Sequence, residues 1–217
     1  MERLMYARFG DLHWWPGDCP DEIFLGAILT QNTSWKNVEI ALNELRDHEC
    51  MSIGCLSGMS PNSIAKLIRS SGFHNQKAVR IRDISAKIKE AYGGLEEMKN
   101  LDRDEVAAFL GNCKGIGPET LSSIMLYALD FPEFVVDAYT LRILGRIGFS
   151  QSEFDTPSLS SLVVKSLDRD IERLKNLHGL FVELAKAYCR KSPVCINCPL
   201  EEMCAYNIAK KAEEMRK

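Results

Sequence analysis

Strand signals are nearly absent from this 217-residue chain. Little of it alternates apolar and polar residues with period two, and most apolar residues recur three and four apart, which excludes a sheet-based architecture. No run of about eighteen apolar residues occurs, so no segment reads as a membrane span. The N-terminal stretch MERLMYARFGDLHWW has no apolar leader core and has acidic residues nearby; a cytoplasmic protein without a membrane partner is expected. The basic excess of a typical nucleic-acid binder is also missing, because the formal net charge is -3. No internal repeat or low-complexity linker appears, so any division into domains must be compact and helical.

What remains is helical patterning over a chain that is 46% hydrophobic, enough for the core of one large or two small domains. The periodicity predicts about ten helices, over 20–31, 35–47, 61–71, 75–91, 102–110, 118–129, 137–147, 157–167, 169–189 and 199–215. Ser60-Pro61, Asn75, Asp102, Thr156-Pro157 and Cys198-Pro199 mark starts, each placing a polar residue or proline where a first turn begins.

Charge is unevenly distributed. Lys66, Arg69, Lys77, Arg80, Arg82, Lys87 and Lys89 face one acid, Asp83, a local balance of 7 - 1 = +6, which favours a local footprint for a polyanion over a plain solvated face. The three tryptophans, Trp14, Trp15 and Trp35, are gathered in a loop and at a helix start, and with Pro16 they suit a flat-walled pocket for a planar, electron-poor or cationic ligand. Phe73, between Gly72 and a basic helix, reads either as a hydrophobic staple or as a wedge. His178, beside Gly179, reads as structural.

Eight cysteines fall into two groups. Cys19, Cys50, Cys55 and Cys113 are scattered and read as free thiols. Cys189-x5-Cys195-x2-Cys198-x5-Cys204 sets four sulfur ligands in one compact loop, which suits tetrahedral zinc or an iron–sulfur cube. A single Cys-x-x-Cys knuckle flanked by lone cysteines favours the cube, whose irons each take one ligand.

Two loop-to-helix junctions stand about twenty residues apart. Lys114-Gly115-Ile116-Gly117-Pro118 offers free backbone N–H groups at a helix N-terminus, a donor site for a phosphate oxygen. Val135-Val136-Asp137 begins a second helix with a carboxylate that the helix end favours in its ionised form. Together they resemble the helix-hairpin-helix, glycine/proline-rich loop and aspartate signature of the endonuclease III superfamily of DNA glycosylases. Bifunctional members have a lysine nucleophile where this chain has Glu119, and Schiff-base chemistry needs an amine. The arrangement of Trp14-Trp15-Pro16, Leu29-Thr30-Gln31-Asn32-Thr33 and Trp35 is more narrowly similar to 3-methyladenine DNA glycosylase III-type alkylpurine glycosylases, which also have glutamate at the position of Glu119.

The resemblance implies an all-α fold of two helical domains, 21–130 with the hairpin and 1–20 plus 131–217 with the cysteine loop, and a substrate cleft between them. It further implies a monomeric, monofunctional enzyme that flips alkylated purines out of double-stranded DNA and hydrolyses the glycosidic bond. Asp137 would be catalytic; Trp14, Trp15, Pro16, Trp35 and Glu119 would line the base pocket. Gln31, Asn32, Phe73, Lys77, Lys114, Gly115, Ile116 and Gly117 would contact DNA. Cys189, Cys195, Cys198 and Cys204 resemble the [4Fe-4S] loop of endonuclease III, whose first interval is one residue longer; zinc is the alternative. An enzyme of the same fold acting on mismatched or oxidised bases, and a non-catalytic helix-hairpin-helix module, are the competing readings.

Overall fold

The computed structural model describes residues 1–149 and 155–216. Among the described residues there is no strand, and thirteen α-helices carry the fold. They are α1 (Glu2–Phe9), α2 (Pro20–Leu29), α3 (Trp35–Asp47), α4 (Ile53–Gly58), α5 (Pro61–Leu67), α6 (His74–Tyr92), α7 (Leu95–Met98), α8 (Arg103–Gly111), α9 (Pro118–Ser123), α10 (Ala138–Ile147), α11 (Thr156–Ser166), α12 (Ile171–Ala187) and α13 (Ala205–Glu214). No described helix is long and apolar enough to cross a membrane. The chain forms two compact units, one of residues 16–131 and one of residues 1–15 with 132 onward.

In the 16–131 unit, α2 is the buried centre. Its sequence PDEIFLGAIL is apolar on all sides after the first turn, so it cannot lie at a surface. Phe24, Leu25, Ile28 and Leu29 are fully buried, and the helix packs on α3, α6 and the segment after α9. Pro20 at the first helical position and Asp21 in the first turn suit its N-terminus. The 19-residue α6 turns Lys77, Ala78, Ile81, Ile84, Ser85 and Ile88 inward, a helical stripe that packs against α4 and α5.

In the other unit, α12 is the spine. Leu174, Leu177, Phe181 and Leu184 are buried on it, α1 and α10 pack against it, and Phe134 meets Phe181 edge-on at 6.1 Å. Three aspartates cap helices here: Asp137 accepts from Thr140 N–H, Asp155 from Ser158 N–H and Asp170 from Arg173 N–H.

Several local expectations need correction. α1, α4 and α7 are short helices that periodicity does not reveal. α6 starts at His74, one residue earlier than the Asn75 cap implies, behind a left-handed Phe73. The expected 61–71 helix ends at Leu67 and continues as a 3₁₀ turn, Arg69–Ser71. Asp155, not Thr156, caps α11, and Pro199 lies in turns, so α13 begins only at Ala205. The expected 118–129 helix changes at Ile124 into a π-helical stretch, Ile124–Ala128, all buried. Ser123 Oγ donates to Glu119 O at 2.8 Å just before the change, a back-bond that competes with the helix ladder. Cys50 and Cys55 are joined by a disulfide and are not free thiols.

Truncating the centre of α2 tests this packing. Ile28→Ala should destabilise the protein by about 2–5 kcal/mol in urea unfolding; a loss under about 0.5 kcal/mol would mean that α2 is not the core.

Candidate active site

The residues before Asp137 are apolar and buried: Phe134, Val135 and Val136. They deliver an extended Asp137 (φ -98°, ψ 178°) to the N-terminus of α10, where its Oδ1 accepts the Thr140 N–H at 2.7 Å. The other oxygen, Oδ2, lies 3.8 Å from His178 Nε2. That exceeds a hydrogen bond, so the contact acts through charge and dipole. Asp137 is 8% exposed and His178 5%. Burial pushes the Asp137 carboxyl up, but His178 and the Thr140 N–H together more than offset this and hold it below the ordinary carboxylate value. The result is a carboxylate that stays ionised although largely removed from water.

Trp14 belongs to the same unit. It abuts Gly179, the residue after His178, so closely that a Cβ there would fall 2.7 Å from the Trp14 Cβ. Lys186 Nζ sits 4.6 Å from the centre of the Trp14 ring, within cation–π range. Trp14 and Trp15 are each only partly exposed.

The hairpin forms its own cluster in the other unit. Between α8 and α9 the chain turns through Gly115 at φ +102°, and a side chain there would collide with Arg80. Gly115 is therefore required twice, by its backbone angle and by its neighbour. Gly117 is extended and Pro118 opens α9. Among the described residues, neither the Gly115 nor the Gly117 N–H finds an acceptor, which leaves both for an anion. Gln31 braces this turn: its Nε2 donates to Gly115 O and to Thr120 Oγ1, each at 3.0 Å, while Arg80 Nη1 donates to its Oε1 at 3.3 Å.

Other expected site residues fall as follows. Pro16 and Trp35 line a groove of about 350 Å³ whose walls include Glu22 and Arg46, paired at 2.6 Å. Glu119 is exposed on the first turn of α9. Asn32 is exposed and left-handed (φ +55°) just past α2. Lys114 lies with Asn75, Gln76, Arg80 and Lys87 on a groove of about 880 Å³ along α6. Phe73 is 64% exposed and holds φ +45°, a strained conformation for an aromatic residue. At that exposure it is not buried as a hydrophobic staple would be.

Two expected DNA contacts are corrected. Lys77 is only 2% exposed; its Nζ donates to Leu29 O at 2.8 Å and Ser71 O at 2.7 Å, and burial, with Arg80 nearby, pulls its pKa down to about 8. No phosphate reaches it. The Ile116 N–H already donates to Cys113 O at 3.1 Å, and its side chain is buried, so it cannot share in anion binding with the two glycines.

Cys189, Cys195, Cys198 and Cys204 line one small cavity of about 30 Å³. Arg146 Nη1 approaches Cys189 Sγ at 3.2 Å. Burial pushes the Cys198 thiol up, and the three other cysteines add to this; bound metal would relieve such crowding by taking all four as thiolates. Among the described residues, no group of three or more His, Cys, Asp or Glu is drawn together as around a single ion.

His178 and Arg80 are the site residues that sequence reading missed. The available signal for His178 was a polar ring inside the apolar stripe Leu174, Leu177, Phe181; Arg80 was hidden among the other bases of its helix.

Comparison with known proteins accords with this geometry. Residues 25–166 match the family model described as HhH-GPD superfamily base excision DNA repair protein. A protein of Methanocaldococcus jannaschii, provisionally called a DNA repair glycosylase, is 40% identical over 204 residues, covering 93% of each chain. Among solved structures, Helicobacter pylori 3-methyladenine DNA glycosylase bound to 1,N6-ethenoadenine is 26% identical with a TM-score of 0.70, covering 85% of this chain and 94% of that one. An endonuclease III–DNA complex, 22% identical, shares the fold with a TM-score of 0.78 over 100% of this chain and 95% of that one.

The ionised Asp137 has a consequence for stability. A carboxyl held below its ordinary value stabilises the fold at pH above that value, about 4, and the contribution fades as pH falls through the lowered one. Asp137→Asn keeps a capping side chain but removes the charge. The stability advantage of the native protein over Asp137→Asn should thus be largest near pH 6 and shrink below about pH 4 in thermal unfolding; a gap that widens on acidification would contradict it. At the hairpin, Gly115→Ala should weaken DNA binding tenfold or more, roughly, in a titration of duplex DNA; unchanged affinity would mean that the turn is not an anion site.

Proposed function

We propose, for a chain that belongs to the HhH-GPD superfamily of base excision DNA repair proteins, that it is a monofunctional DNA glycosylase removing alkylated purines, 3-methyladenine and 7-methylguanine among them, to leave an abasic site. The single observation that carries this reading is the buried Asp137 carboxyl, bonded by the Thr140 N–H and faced by His178, which together hold it below the ordinary carboxylate value.

The chemistry follows from charge. Alkylation at N3 or N7 makes a purine cationic, so it leaves as a neutral base and needs little acid catalysis. What the reaction does need is relief of positive charge at the sugar, and an ionised carboxylate in a low-dielectric site supplies that. Asp137 would also orient a water for attack at C1′. An indole face suits a cationic ring, which favours Trp14, Trp15 and Trp35, with Pro16 and Glu119, as the recognition set. Glu119 offers no amine, so no Schiff base forms at that position.

On DNA, the free N–H groups of Gly115 and Gly117 would hold a backbone phosphate, with Lys114 beside them and Asn32 at the same strand. Gln31 and Phe73 would occupy the stack vacated by the flipped nucleotide. The exposure and strain of Phe73 support its part in this. For Gln31, the role requires release from the hairpin contacts it makes in the free protein. The enzyme would work as a monomer on double-stranded DNA.

Cys189, Cys195, Cys198 and Cys204 would hold a [4Fe-4S] cluster, whose contribution is to rigidify the loop between α12 and α13. Anaerobically purified protein should then be brown with four irons per chain, roughly; stoichiometric zinc without iron would reject it.

The decisive assay is base release from methylated duplex DNA under single-turnover conditions. Both methylpurines should be released, without strand cleavage or a borohydride-trapped adduct, and Asp137→Asn should slow release at least about 100-fold while retaining binding. Release of thymine or oxidised bases only would point to the mismatch or oxidised-base reading. Binding without any release would leave a non-catalytic module.

A further inference from the structure

Lys77 is a buried amine that the reaction does not use. Its Nζ reaches across the 16–131 unit and donates to two backbone carbonyls, Leu29 O at 2.8 Å and Ser71 O at 2.7 Å. Each carbonyl stands two residues before one of the side chains assigned above to the disrupted base stack: Leu29 before Gln31, and Ser71 before Phe73. Lys77 is also tied to the second of these segments through its own backbone, since its N–H donates to Phe73 O at 3.0 Å.

Both segments need such a tie. After Leu29 the chain leaves α2 and passes to a left-handed Asn32, and after Ser71 it passes through Gly72 (φ +67°) and Phe73 (φ +45°), two consecutive residues at positive φ. Neither segment has a regular ladder to hold it. A buried ammonium, with charge-assisted bonds to the last ordered carbonyl of each, can hold both at once. One turn on from Lys77, Arg80 holds the Gln31 amide itself. The side of α6 that carries Lys77 and Arg80 thus grips both segments.

We propose that Lys77 is a positioning residue, a clamp that sets the spacing between the Gln31 and Phe73 segments so that they enter the base stack together. This rests on the reading of Gln31 and Phe73 given above. The clamp has no contact with DNA and acts only through those two segments. Its removal therefore costs base flipping more than phosphate binding, which it touches only through the brace that Gln31 gives the Gly115 turn.

The test is a mutant cycle on single-turnover base release, with the emission of 2-aminopurine placed beside a methylated purine to read flipping. Lys77→Met, checked for its fold by circular dichroism, should lower release and flipping roughly tenfold and affinity for undamaged duplex far less. Gln31→Ala/Phe73→Ala should show a similar loss. Adding Lys77→Met to that double variant should cause no further loss. Should Lys77→Met fail to fold, Lys77→Gln, which keeps two donors on a shorter arm, carries the same cycle. Full additivity of the Lys77 substitution with the double variant, or native release by the Lys77 variant, would overturn the clamp alone. Native release by Gln31→Ala/Phe73→Ala would instead remove the stack-filling reading, and the clamp with it.

Discussion

The site keeps a negative charge where water is scarce. Burial alone would push the carboxyl of Asp137, 8% exposed, toward its protonated form. Two neighbours prevent this. The Thr140 N–H, one of the unsatisfied donors of a helix N-terminus, binds one oxygen, and His178 faces the other. The cap that starts α10 therefore also helps to keep the carboxyl ionised.

The same economy recurs at the hairpin. The backbone angle of Gly115 and the closeness of Arg80 leave no room for a side chain, and the exposed N–H groups follow from that conformation. Gln31 and Arg80 hold the turn from behind, and Lys77 holds the segment that carries Gln31. The turn at Gly115, the segment that carries Gln31 and the Asp137 carboxyl are each held by a polar contact whose partner is distant in sequence.

Much of the fold was legible where local physics decides. α3 spans Trp35–Asp47 as its periodicity implies, and Ser60 and Asp102 cap their helices as read. Gly117-Pro118 opens α9, and Asp137 caps α10. The short helices α1, α4 and α7 were not legible because packing sustains them and their own periodicity does not. Nor was the π-helical stretch, since Ile124–Ala128 is apolar enough for either geometry. In the candidate site, the local conformations at Gly115 and Asp137 could be read, but their partners could not. Lys77 and Arg80 stand three apart on one basic helix and look alike in sequence, yet one is buried against carbonyls and the other braces Gln31. His178 comes to Asp137 only through the packing of α10 on α12.

If its neighbours hold the Asp137 carboxyl ionised, its own titration will show it. Carbon-13 NMR of labelled aspartate carboxyls, with Asp137 assigned by its absence in Asp137→Asn, should place its midpoint below the ordinary value of about 3.9, and His178→Leu should raise it. A midpoint at or above that of exposed aspartates, indifferent to His178, would contradict the account.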